Sequence, residues 1–193
     1  MVIFHFSIGI NIMQHLQHIM IDIETLDTKP SSIILSIAAV EFDINNSGNI
    51  LNSFHVNVDQ NSQSNRSASP STIEFWNKQP IEKREAMLVD MITLDQALVQ
   101  LREWLPKHTK YKIWANSPSF DLSILDHAFD YASPWDYWQS LDVRTYKELA
   151  RSLKIQLPEI DKTKAHNALY DCHYQAYVVS TIFSHLHTGY LYG

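Results

Sequence analysis

His18-Ile19-Met20-Ile21-Asp22-Ile23-Glu24-Thr25 decides how the rest of the chain is read. Ile19, Ile21 and Ile23 alternate with Met20, Asp22 and Glu24, the period of two expected of a β-strand. Asp22 and Glu24, two positions apart, project from the same face. Like charges side by side cost free energy unless solvent or a cation separates them. A solvated strand face would remove that cost. The flanking Ile21 and Ile23 and the apolar segment that follows argue instead for a central strand, where paired carboxylates need partners. Hard oxygen ligands of this kind suit Mg²⁺ or Mn²⁺.

Working outward, Ser32 to Phe42 (SIILSIAAVEF) and Ile50 to Val58 (ILNSFHVNV) are strand candidates, separated by the turn-forming Asn45-Asn46-Ser47-Gly48. Three strands with short connections suggest an antiparallel meander. Asp59 to Pro70 (DQNSQSNRSASP) reads as a polar surface loop and as the least ordered stretch. Thr93-Leu94-Asp95-Gln96 reads as a capping box, with Ala97, Leu98, Leu101 and Leu105 following at helical spacing and Pro106 near the end. Tyr111 to Ala115 is a short buried strand. It leads through Asn116-Ser117-Pro118-Ser119 into a helix with Phe120, Ile124, Ala128 and Tyr131 on one side. A strand around Gln139 to Asp142 precedes a helix to about Leu153. The last helix is expected from about Ala168 to Leu186, with Cys172, Ala176, Val179 and Phe183 as its inner stripe. The order β-β-β, helices, β-α-β-α-α defines an α/β fold with a mixed sheet.

The chain has 193 residues, enough for one α/β domain. A hydrophobic share of 45% with 19% charged residues is ordinary for a globular protein. A net charge of −6 excludes a broad basic surface for tight duplex binding. It permits a nucleic-acid enzyme of small footprint, because bound divalent cations invert the local charge seen by a phosphate. Cys172 is the sole cysteine, which rules out an intramolecular disulfide and a Cys-based zinc site and fits a reducing cytoplasm. No apolar run is long enough for a membrane span. Met1 to Met13 is apolar but lacks the positive region of a secretory signal. It reads as an edge segment, or as a dispensable start with Met13 the functional one. The expected division is an extension over 1–17 and a domain over 18–193.

Two further acidic positions join the first pair. Asp121 follows the Tyr111–Ala115 strand and sits at the start of a helix. An acid there is favoured by the helix dipole, and a strand's carboxyl end is also where α/β sheets present ligands. Ala165-His166-Asn167-Ala168-Leu169-Tyr170-Asp171 supplies the other. On one continuous helix His166 and Asp171 would point well apart. They converge if His166 lies in the loop just before the helix and Asp171 on its first turns.

Asp-x-Glu on a first strand, Asp at a strand-to-helix junction and His-x4-Asp at the head of a late helix resemble the DEDDh branch of the DnaQ-like exonuclease superfamily. The matching residues are Asp22, Glu24, Asp121, His166 and Asp171, and the resemblance runs from about His18 to His185. IDIET, WANSPSFDLSIL and AHNALYDCHYQA carry it. Within the superfamily, the chain is most similar to the group that includes T-even phage exonuclease A and the nuclease domain of exodeoxyribonuclease VIII. It departs from that group in having Phe75-Trp76 for a tryptophan pair and Ser117 for the glycine after Asn116.

The resemblance implies an RNase H-like mixed five-stranded sheet flanked by helices, its second strand antiparallel. It implies 3′→5′ exonucleolytic hydrolysis of single-stranded DNA or RNA ends to nucleoside 5′-monophosphates, with two Mg²⁺ (or Mn²⁺) about 4 Å apart. Asp22 would bridge both ions, Glu24 and Asp171 would complete one site, and Asp121 would help hold the other. His166 would take a proton from the attacking water. Thr25 and Leu26 would contact the terminal nucleotide and Asn116 would hydrogen-bond the substrate. Trp76 would stack on a base or serve as a packing aromatic. Asp142 would support the site or cap a helix, and His185 and His187 would form a solvated end. Competing readings are a catalytically silent nucleic-acid-binding module on the same fold, an RNase H-like endonuclease, and a phosphodiesterase for very short oligomers, whose members act as dimers.

Overall fold

The computed structural model describes residues 16–107 and 110–191. The expectation about Met1 to Met13 lies outside the described residues. The strands are β1 (Gln17–Thr25), β2 (Ile34–Phe42), β3 (Ile50–Asn57), β4 (Tyr111–Ala115) and β5 (Ser140–Asp142). They form one sheet in the order β3-β2-β1-β4-β5. β2 is antiparallel to β1 and β3, whereas β4 is parallel to β1 and to β5. The mixed five-stranded sheet with its second strand reversed is therefore present as expected.

β1 is central because both of its faces are apolar along most of its length. Ile19, Ile21 and Ile23 pack in one core with Leu98 and Leu101 of α3 (Leu94–Trp104) and Ile124 and Leu125 of α4 (Asp121–Ala128). Met20, on the other face, packs with Ala38, Val40 and Trp114 beneath α6 (Ala168–Leu191). Cys172, Ala176 and Val179 are the inner stripe of α6, as the sequence predicts. Cutting one large side chain in such a core to Ala costs about 2–5 kcal/mol. Thr93 and Gln96 form the predicted capping box of α3, a device worth about 1 kcal/mol.

Three expectations need correction. Asp59–Pro70 is a tethered strap rather than the least ordered stretch. It begins with a 3₁₀ turn over Gln60–Ser62. The buried Gln63 amide accepts from the Ile34 N–H at 2.9 Å and donates to the Ile34 carbonyl at 2.8 Å. Arg66 Nε donates to the Ser32 carbonyl at 2.6 Å, and Ser32 bridges to Ser67. These long-range bonds satisfy backbone groups that a solvated loop would leave to water. The strap delivers α1 (Pro70–Asn77), capped by Ser69, and then α2 (Ile81–Ala86) to the end of β1.

The second correction is Tyr131. α4 stops at Ala128, and Tyr131 has a left-handed φ of 59° and is 75% exposed. The third is the end of α6, which continues past Leu186 to Leu191. Asp142 caps α5 (Val143–Ser152), its carboxylate accepting from Arg144 N–H at 2.9 Å and the Thr145 hydroxyl at 2.8 Å. No helix among the described residues is long and apolar enough to cross a membrane.

Candidate active site

The parallel pairing of β1 with β4 runs from Gln17 opposite Tyr111 to Met20 opposite Trp114. β1 continues beyond it to Thr25, so its last residues lack a strand partner on that side. The Ile23 N–H left open there donates to the Asp121 carboxylate, which also accepts from its own N–H and from Ser117. An unpaired strand edge thus fixes the first turn of α4. On the β2 side the register shifts between Glu24 and Thr25, a bulge of the kind that re-aims side chains beside sites.

Asp22 and Glu24 continue the row that begins with Met20, on the face covered by α6. Asp171 and Gln175 lie one turn apart on that helix, so both face the row. Gln175 Nε2 donates to Asp22 Oδ1 at 2.8 Å. Its own Oε1 is buried and has no hydrogen-bond partner. Asp171 Oδ2 accepts from the His166 N–H at 2.8 Å. Asn167 caps α6, accepting from the Tyr170 N–H at 3.0 Å.

His166 precedes that helix in an exposed segment with φ of 62°, the placement the sequence required for His166 and Asp171 to converge. Lys83 of α2 donates to the Ala165 carbonyl beside it. The Phe75 ring of α1 meets the His166 ring edge-on at 4.9 Å. Ligand atoms of Glu24, His166 and Asp171 all lie within 4.8 Å of one another.

The five residues singled out for chemistry line one open cavity of about 490 Å³, with Thr25, Asn116 and Trp76. Leu26 is not among its lining residues; its N–H donates to Ile33 and its carbonyl accepts from Ser69. Trp76 is only 5% exposed, and its indole N–H donates to the Thr25 carbonyl at 2.8 Å. Its neighbour Phe75, 37% exposed, offers the more open ring. Phe75, Arg144, Lys147, Tyr174 and Gln175 line the cavity without having been singled out from sequence. Only Gln175 had a usable signal, its spacing of four from Asp171.

Burial, with the repulsion of Asp171 and Asp121, pushes Glu24 up to about 8. Burial likewise raises Asp121 to about 7. Asp22 is raised well above the usual carboxylate range by burial and by Asp121, Glu24 and Asp171, against the Gln175 hydrogen bond. Asp171 is raised by burial. The ion pairs among the described residues are Lys78–Glu74, Arg151–Glu148 and Lys164–Asp161, none of which involves this cluster. Clustered, buried carboxylates that have no ion-pair partner among the described residues, all of them oxygen donors, fit a hard divalent cation.

A mixed sheet in this order, with acidic side chains gathered where its central strand outruns its neighbour, is the RNase H-like architecture. Residues 17–183 match the model of the 3′-5′ exoribonuclease Rv2179c-like domain, and the chain belongs to that family. Among solved structures it is similar to exonuclease I from E. coli, in the zinc-bound complex with single-stranded DNA. The TM-score there is 0.66 at 17% identity, over 89% of this chain and 43% of that one. The E. coli enzyme with a dA16 oligonucleotide gives 0.63 at 17% identity, over 89% and 43%. Exonuclease I from Methylocaldum szegediense gives 0.63 at 15% identity, over 86% and 40%. The chain thus spans less than half the length of these enzymes, and at such identities the likeness is one of fold. No curated protein matches the sequence.

Proposed function

We propose that this domain removes nucleotides one at a time from the 3′ end of single-stranded nucleic acid, at the cavity lined by Asp22, Glu24, Asp121, His166 and Asp171. The observation that carries the reading is the convergence of four carboxylates and one histidine from β1, α4, α6 and the segment before α6. Membership of a family described as 3′-5′ exoribonucleases supports it. So does the likeness in fold to an exonuclease captured with single-stranded DNA.

Asp22, Glu24, Asp121 and Asp171 would hold divalent cations, two Mg²⁺ or Mn²⁺. When bound, these supply positive charge to the reacting phosphate and acidity to water. His166, exposed and outside the helix, takes the proton from the attacking water. Asp171 orients it by fixing its backbone N–H. Gln175 steadies Asp22 by donating to its carboxylate. Thr25 and Asn116 contact the terminal nucleotide, with Phe75 as the ring against which its base rests and Trp76 as the anchor behind it.

Matched 5′-labelled single-stranded RNA and DNA oligomers, and a circular form of each, test the reading. Linear substrates shorten from the 3′ end with Mg²⁺ or Mn²⁺, circles survive, and EDTA stops the reaction. The faster sugar is the preferred substrate. Retained label in a bound complex with no shortening of either polymer would leave a binding module. Cut circles would leave an endonuclease.

A further inference from the structure

The cavity is not lined by acids alone. α5 carries Arg144, Lys147 and Arg151 at spacings of three and four, so the three share one helix face. Arg151 pairs with Glu148, whereas Arg144 and Lys147 line the cavity. Lys147 Nζ donates to Asn116 Oδ1 at 3.2 Å and lies 5.5 Å from the centre of the Tyr174 ring. Tyr174 is itself held by the bond from its hydroxyl to the Pro158 carbonyl, 3.1 Å. The Lys147 ammonium is thus aimed by a neutral amide and an aromatic face. No ion pair among the described residues joins Arg144 or Lys147 to any carboxylate.

Two cations side by side repel each other. Burial and the charges of Arg144 and Arg151 lower the pKa of Lys147, against the opposing pull of Asp171 and Asp22. Arg144 acts on Asp121, and Lys147 on Asp22 and Asp171, from a distance, without closing an ion pair with any of them. A guanidinium with free donors beside an ammonium instead matches a phosphate diester, whose non-bridging oxygens take bonds from both. The reacting phosphate belongs to the carboxylates and their cations. The wall built by α5 therefore faces a different one.

We propose that Arg144 and Lys147 form a phosphate subsite that holds the backbone phosphate next to the reacting one on a single-stranded nucleic acid. This rests on the exonuclease reading for which phosphate reacts. It makes the preferred ligand a strand with at least two phosphates, and it places strand affinity on α5 rather than on the carboxylates. In a chain of net charge −6, it also explains how a polyanion is retained at an acidic cavity.

The test is fluorescence anisotropy of a 5′-labelled single-stranded oligomer in EDTA across a KCl series. It compares the wild type with Arg144→Met, Lys147→Met, Lys147→Arg and Arg151→Met. Arg144→Met and Lys147→Met are each expected to weaken binding about tenfold and to lower the salt slope by about 0.7. Lys147→Arg keeps the wild-type slope, and Arg151→Met stays within about twofold. Wild-type affinity and slope in both methionine variants would overturn the subsite, as would a wild type that fails to bind at low salt. Exposed Arg144 keeps the test decisive should Lys147→Met fold poorly. A wild type that binds with this pattern but hydrolyses nothing in Mn²⁺ would sink the exonuclease reading and leave the phosphate subsite standing.

Discussion

The floor and the rim of the same cavity are built on opposite terms. On the floor, Glu24 and Asp121 are 8% and 3% exposed and stand on elements whose other faces lie in the core. They are fixed by burial, and burial is also what makes their charge costly. On the rim, His166 is exposed, left-handed in φ and part of a segment without regular structure. It is held by three tethers: the Asp171 carboxylate, the Lys83 bond to Ala165 and the Phe75 ring. Charge that must stay put is anchored by the core. A group that must exchange protons with water is left accessible and aimed by a few bonds. Damage to the floor should abolish cation binding, whereas damage to the rim should slow turnover and leave cations bound.

The largest effect is expected from Asp22→Asn. Turnover should fall by about 10³-fold or more, and calorimetric Mn²⁺ titration should show lost affinity. Retained Mn²⁺-dependent turnover would break the division between floor and rim. His166→Asn should cost about 10²–10⁴-fold in kcat while Mn²⁺ affinity and thermal melting stay near wild type. Lost metal affinity in that variant would move His166 from base to ligand, a role its distance to Glu24 and Asp171 allows. Lys83→Met removes one tether, a charge-assisted hydrogen bond worth about 1.5–3 kcal/mol. A kcat loss of about tenfold with little change in KM is expected, read from initial rates over a substrate series.

The smallest effect concerns the floor without metal. Glu24 at about 8 and Asp121 at about 7 hold protons more tightly folded than unfolded, where carboxyl groups titrate near 4. From about pH 4.5 to about pH 8 the folded chain keeps protons that the unfolded chain has lost. The stability this contributes is full below the unfolded pKa and is lost as pH rises through the folded values. Urea melts in EDTA should therefore show falling stability across that window, and saturating Mn²⁺ should flatten it by replacing the protons. Stability that rises with pH in EDTA would mean that the carboxylates are already neutralised within the chain.

The floor was legible in the sequence and the rim only in part. Alternation about Ile19, Ile21 and Ile23 located β1 and aimed Asp22 and Glu24, because a period of two leaves little choice of face. The capping box at Thr93 and the short strand before Asp121 were equally local signals. The spacing of His166 and Asp171 forced the histidine out of the helix. What escaped notice depends on contacts distant in sequence. Gln63 and Arg66 order the strap by bonding to Ile34 and Ser32, about thirty residues away, and a polar composition cannot announce that. Trp76 is buried by the Thr25 carbonyl, 51 positions away, which left Phe75 the more open ring. Lys147 enters the cavity because α5 packs beside α6, a placement that no period within α5 encodes.

The most direct measurement is mass spectrometry of what the wild-type protein releases from a 5′-labelled single-stranded oligomer in Mn²⁺. Nucleoside 5′-monophosphates are expected to leave in order from the 3′ end, with nothing released in EDTA. Nucleoside 3′-monophosphates, internal fragments, or release that persists in EDTA would contradict that expectation.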